Sequence, residues 1–145
     1  MNAERLVGVW QLEEFVLREG DELSHPFGQR PKGRVHVSAN GELLVLILAQ
    51  DRARLASEDL QGGSAEEAVA LLRSALSYFG RWRFDPARAL LEIEVEGALL
   101  PNLEASVQRR LAELLGPDEL ILTTPPVLWQ GRERCGVLRW SRMRP

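Results

Sequence analysis

Few side chains in this sequence have the type and spacing that chemistry requires. Arg109 and Arg110 are consecutive, and on a strand two consecutive residues point to opposite faces. One of them would be an inward cation. Such a group needs a carboxylate from the protein or from a ligand. Alternation alone does not say which of the two points inward; Arg110, which shares its parity with Ser106 and Gln108, is the candidate polar anchor. The outward Arg109 is then expected to pair with Glu94 or Glu96. Histidine can move protons near neutral pH, and the chain has His25 and His36. His36 has the parity of Arg34 and Ser38 and is expected to face solvent. His25 sits in a loop and is expected to bond to backbone. Cys135 is the single cysteine, so no Cys/His zinc site can be assembled. Ser64 lacks the Gly-x-Ser-x-Gly surroundings of a hydrolase nucleophile. Gly62-Gly63 is too short for a phosphate loop, and no spacing pairs Asp51 with Asp59. No catalytic residue, metal or cofactor is expected from these residues.

The composition narrows the partners. A formal net charge of −3 argues against a general nucleic-acid binder, which needs a concentrated excess of cations. All basic residues but Lys32 are arginines, which reads as composition bias. The longest apolar run, Leu43 to Ala49, is too short to span a bilayer. The first residues have no signal-like apolar segment, and a lone cysteine does not point to an oxidising compartment. The expected location is the cytoplasm. The 145 residues fit one domain, 1–145, large enough to bury a core.

The elements that would position these groups are mostly strands. Asn2 can cap a helical turn through Leu6. A strand follows from Val9 to Arg18, and Glu13-Glu14 breaks its alternation as a β-bulge does. A turn-rich loop covers Ser24 to Gly33. Val35 and Val37 share one face of the next strand. Asn40-Gly41 then predicts a tight hairpin. The returning strand, Glu42 to Ala49, is apolar on both faces and predicts cover on both. The expected cover is a helix. Ser64 and Glu67 have the spacing of a capping box, and Ala68, Leu71, Leu72, Ala75, Leu76 and Phe79 recur with helical period. Gly80 is placed to end it, which leaves Tyr78 and Phe79 on the helix beside the barrel mouth. They could act there as a gate moving with the Asp51–Gly63 loop. Further strands are expected over Arg81–Phe84, Leu91–Glu96, Ser106–Leu115, Glu119–Thr124 and Arg132–Ser141. Eight strands in meander order with one helix between the third and fourth predict an all-β, closed up-and-down antiparallel barrel.

By alternation, Val35, Val37, Trp82, Phe84, Leu91, Ile93 and Val95 are expected to share the interior. An eight-stranded barrel can be filled by such side chains or can hold one small ligand. The candidate ligand-binding set is Arg110, Gln108, Trp82, Phe84, Val37, Ile93 and Tyr78.

Gly8-Val9-Trp10, opening the first strand after a helical turn, resembles the Gly-x-Trp signature of lipocalins and their calycin relatives. The resemblance implies that Arg139, in Val137-Leu138-Arg139-Trp140, packs over Trp10 where first and last strands meet, a contact of about 0.5–2 kcal/mol. More of the chain is similar to bacterial and fungal lipocalin-like domain proteins. The matching segments are Leu6–Leu12, His25-Pro26-Phe27-Gly28, Asn40-Gly41, Tyr78–Trp82, Pro101-Asn102, Arg110 and Leu122–Pro126. Members of that group often carry a tyrosine near Val37 and a histidine near Ile93. Their absence here removes the obvious proton-transfer groups. Fatty-acid-binding proteins place a helical pair after the first strand. Haem-binding barrels of nitrobindin type need a histidine near the C-terminal end, and this chain has none after His36.

Three functions follow as expectations. The first is a binding protein that holds a small, apolar or amphipathic molecule in the barrel, with Arg110 on a carboxylate or carbonyl. The second is a natural-product cyclase or isomerase that uses the same cavity. The third is an interaction protein with a filled barrel, which forms a homodimer through its surface or its helix. No nucleic acid and no membrane span enter any of them.

Overall fold

Strict alternation of buried and exposed positions in the second and third long strands sets the architecture. In the computed structural model, which describes residues 1–145, β1 spans Gly8–Glu19, β2 Glu22–Ser24, β3 Lys32–Val37 and β4 Glu42–Leu48. The helix α1 covers Ala65–Arg73, followed by β5 (Ala75–Asp85), β6 (Leu90–Ala98), β7 (Val107–Leu115), β8 (Glu119–Thr123), β9 (Val127–Trp129) and β10 (Arg132–Arg142). Short 3-10 turns lie at Ala3–Leu6 and Pro101–Leu103. Neighbouring strands pair antiparallel in the order β1-β3-β4-β5-β6-β7-β8-β10, and β10 pairs back onto β1. That is a closed eight-stranded barrel. The three-residue β2 and β9 only extend the upper ends of β1 and β10. No helix is long and apolar enough to cross a membrane.

The connections sort by length. The turns 38–41, 86–89 and 116–118, with both chain ends, lie at one end of the barrel. The loops 25–31, 49–64 and 99–106 and the segment 124–131 lie at the other. We call the first end lower and the second upper. At the lower end, Trp10 is fully buried and donates its indole N–H to the Leu6 carbonyl at 3.0 Å. The guanidinium above it belongs to Arg142, 4.2 Å from the ring, and not to Arg139. Residues 138, 140 and 142 share the inward parity, whereas Arg139 lies between the buried Leu138 and Trp140 and faces out. Arg142 also donates to the carbonyls of Val7, Arg5 and Pro117. It thereby ties the N-terminal turn and the β7–β8 turn to the last strand.

The β1 bulge falls at Glu13, between Leu12 and Glu14, so Trp10, Leu12, Phe15 and Leu17 all point inward. The hairpin at Asn40-Gly41 closes differently from the expected two-residue turn. Gly41 alone takes positive φ, and its N–H donates to Ser38.

The helix departs most from expectation. The capping box of Ser64 and Glu67 forms, but α1 ends at Arg73. The residues expected to finish it instead pair with β4 from Leu48↔Ala75 to Glu42↔Arg81. Ala75, Leu76 and Phe79 satisfy the helical period, yet Leu76, Tyr78, Trp82 and Phe84 also alternate, and the ladder to β4 prevails. Gly80 is therefore not a helix stop. It lies mid-strand, where a Cβ would overlap the Glu94 carbonyl oxygen, and it lets β5 approach β6 at the bulge formed by Glu96 and Gly97. Nor does α1 cover β4. No α1 residue is buried, and Leu44 and Leu46 remain half-exposed on the outer wall.

Candidate functional site

The barrel interior is filled at the lower end and open above. Val37, Trp82 and Phe84 point inward as alternation predicts, but they pack the lower end, where Trp82 donates its indole N–H to the Ser38 carbonyl at 2.8 Å. None of the three reaches the void above them. That void measures about 220 Å³ and is lined by 22 residues, 18 of them apolar. Its wall is Val35, Leu43, Val45, Ile47, Leu91, Ile93, Leu122 and Trp140. At the upper end Phe15, Phe27 and Trp129 form an edge-to-face cluster with centroids 5.4–6.0 Å apart, an arrangement aromatic rings prefer. Phe15 and Trp129 of this cluster also line the void.

Tyr78, Ile93, Gln108 and Arg110 of the candidate set line this void together. β7 places two of them. Leu91 stands opposite Arg110 and Ile93 opposite Gln108, so both polar side chains enter on the inward face. Arg109 points out and bonds Glu92 at 3.0 Å rather than Glu94 or Glu96, because Arg109 and Glu92 are direct cross-strand partners. Gln108 donates to the Ser106 hydroxyl at 2.9 Å. Arg110 donates to the Arg109 carbonyl at 2.7 Å and reaches the Tyr78 hydroxyl at 3.5 Å. No aspartate or glutamate lines the void, and no ion pair includes Arg110. The guanidinium is half-buried beside an apolar space without a counter-ion, an arrangement that favours an anion from outside.

Access comes through the wall. β7 pairs with β8 only from Leu111↔Thr123 downward, so Val107–Arg110 has a strand partner on the β6 side alone. Across the gap, Thr124 bonds to Gly136 of β10. Pro125 and Pro126 then follow, and they have no N–H with which to continue a ladder to β7. The Arg109 carbonyl, unpaired on that side, is the one that takes the Arg110 side chain. Gln108 and Arg110 flank the gap on one side. Thr124, Val127 and Leu128 flank it on the other, with Leu100 and Leu103 above. Leu128 is 74% exposed although it lines the void, as expected of a mouth residue.

The remaining candidates lie elsewhere. His36 is exposed on the outer wall. His25 contacts the Glu14 carboxylate at 3.2 Å and the Gln29 side chain at 3.3 Å, not backbone. Phe15, Trp129, Leu100 and Leu103 were not in the expected set. Phe15 was detectable through its phase shift after the bulge. Trp129 lies on a strand too short to show a period.

On the outer wall Glu92 bonds both Arg83 and Arg109. Burial works to raise its carboxyl, but the hydrogen bonds and charges of the two arginines outweigh that, and the group titrates below its ordinary value of 4.5. A carboxyl lowered by folding stabilises the protein above its unfolded pKa and ceases to as pH falls through the folded one. Glu92→Gln is therefore expected to melt below the wild type at neutral pH. The difference should shrink once pH falls below about 4.5 and should vanish at still lower pH. A difference that stays constant across a pH series of thermal melts would assign the effect to packing instead.

A designed fluorescence-activating β-barrel among the solved structures is similar at 14% identity, over 97% of this chain and 96% of that one, with a TM-score of 0.45. No curated protein matches. The family model for the lipocalin-like domain matches residues 7–143, which takes in the Trp10 anchor, every barrel strand and the polar group at the wall gap: the chain belongs to the lipocalin-like domain family.

Proposed function

We propose that this barrel binds a compact, largely apolar molecule bearing one acidic group. The body lies against Val45, Ile47, Leu91 and Ile93, and the carboxylate meets Arg110 with Gln108 and Tyr78 beside it. The observation that carries this reading is the Arg110 guanidinium, which borders an apolar void without an acidic side chain. A carboxylate there gains a charge-assisted bond that the protein does not itself supply. The void of about 220 Å³ is below the range of about 300–1,000 Å³ typical of drug-sized sites, which favours small acids over long-chain lipids. Titration of the protein with medium-chain and aryl-substituted carboxylic acids and with their methyl esters tests this. Trp129 and Trp140 line the void, so their fluorescence reports occupancy. The acids are expected to bind at least about tenfold more tightly than the esters. Absence of a saturable signal from any of them would refute the binding reading.

Tyr78 supports a second reading. Its hydroxyl lies within 3.5 Å of Arg110, so a proton donor and a cation could polarise one carbonyl, as an isomerase or cyclase would require. Chromatography and NMR of the ligands recovered over time separate the two, because an isomer keeps the mass of its precursor but not its retention or spectrum, whereas a binder returns the ligand unchanged.

A further inference from the structure

We infer that the outer wall formed by β3, β4, β5 and β6 is the contact surface of a symmetric dimer of this chain. Its exposed side chains form rows of different character. β3 presents the cations Lys32 and Arg34, with His36. β4 and β5 present Leu44, Leu46 and Phe79, which are 50%, 45% and 50% exposed. Beyond them, β6 presents Glu96. The rows are in register. His36 stands opposite Leu44, and Leu44 opposite Phe79. Phe79 in turn stands opposite Gly97, on which its ring lies so closely that a Cβ would overlap it. A shallow depression spans the whole row from His36 through Leu44 and Phe79 to Glu96.

The order of the rows selects the partner. A homodimer with a two-fold axis uses the same patch on both copies, so the patch must complement itself. An axis running along the strands between β4 and β5 exchanges left for right and keeps height. It lays Leu44 on the partner copy's Phe79 position and sets His36 level with Glu96, and Arg34, the next outward residue above His36 on β3, reaches down to that acid with its long side chain. It also brings Glu42 against the position of Arg81, since those two residues face each other across β4 and β5. An axis across the strands would instead set each charged row against itself. Arg34 and Glu96 make no ion pair within the monomer, so they are free to pair between copies. Glu94, beside them, is already held by Arg83. The helix that could have covered this face leaves it bare. The gap in the barrel wall lies between β7 and β9, outside the paired surface, so the dimer leaves the cavity mouth open.

Curvature limits the contact to these few strands, so the dimer is expected to be weak, with a dissociation constant on the order of 1–100 µM. Sedimentation equilibrium of the full chain across protein concentration and salt tests it. A monomer–dimer equilibrium that weakens as salt rises is expected. Leu46→Glu should leave only monomer. Arg34→Glu and Glu96→Arg should each weaken association about tenfold, and the double variant should recover most of the loss. Circular dichroism and melting confirm that these surface variants fold. A wild type that is monomeric at every concentration overturns the proposal. So does a dimer indifferent to Leu46→Glu. A dimer that Leu46→Glu abolishes but neither charge reversal weakens overturns the two-fold arrangement.

Discussion

Trp10→Ala is expected to lower the unfolding free energy by about 3–5 kcal/mol, the cost of emptying a large aromatic from a packed core. A domain of this kind has a total of roughly 5–15 kcal/mol, so the variant should be marginal at room temperature. The loss has three sources. The indole is fully buried, its N–H satisfies the Leu6 carbonyl, and its face carries the Arg142 guanidinium. Arg142 stands opposite Trp10 in the pairing of the first and last strands, so the pair lies at the seam that closes the barrel. Denaturant titration of two arginine variants identifies the partner. Arg142→Met should cost about 1–3 kcal/mol, because three backbone carbonyls lose their donor and the indole face loses its cation. Arg139→Met, on the outer wall, should cost less than about 0.5 kcal/mol. Equal costs for the two variants would contradict this account of closure.

The second large effect is expected at Arg110. A hydrogen bond to a charged group is worth about 1.5–3 kcal/mol, so Arg110→Met should weaken the binding of an apolar carboxylic acid about 10- to 100-fold. The methyl ester should bind the variant as well as it binds the wild type. Without ligand, the same substitution should leave stability unchanged or raise it. A half-buried cation with no carboxylate partner is costly to hold, and methionine fills similar space without charge. Together these outcomes separate a ligand-binding cation from a structural one, whose loss would lower stability and leave the ratio of acid to ester unchanged. Calorimetric titration and thermal melting of one preparation give both readouts.

How much of this was legible in the sequence depends on the kind of information each residue carries. Alternation gives the face of a strand, so parity alone places one of Arg109 and Arg110 inside, the resemblance favours Arg110, and the bulge at Glu13 is legible from the broken alternation. Alternation does not give depth along the barrel. Val37, Trp82 and Phe84 have the same inward parity as Ile93, but they fill the lower end, below the void. The end of α1 was ambiguous because the residues from Ala75 to Phe79 fit a period of 3.6 and a period of two, and only pairing with β4 decides between them. The resemblance points to Arg139 as the arginine over Trp10, whereas the parity of Leu138 and Trp140 continues to Arg142. The wall gap follows from an interruption of pairing at Pro125-Pro126. The expected strand Glu119–Thr124 stops just before them, but which neighbour thereby loses its partner is a property of the closed topology.

The most direct test of the central claim is a crystal structure of the protein soaked with a small apolar carboxylic acid from the binding series. The account predicts density within the void, with the apolar body against Ile93 and Leu91 and the carboxylate within hydrogen-bonding distance, about 3 Å, of the Arg110 guanidinium. An empty interior at saturating ligand, or a ligand seated with its carboxylate away from Arg110, would contradict it.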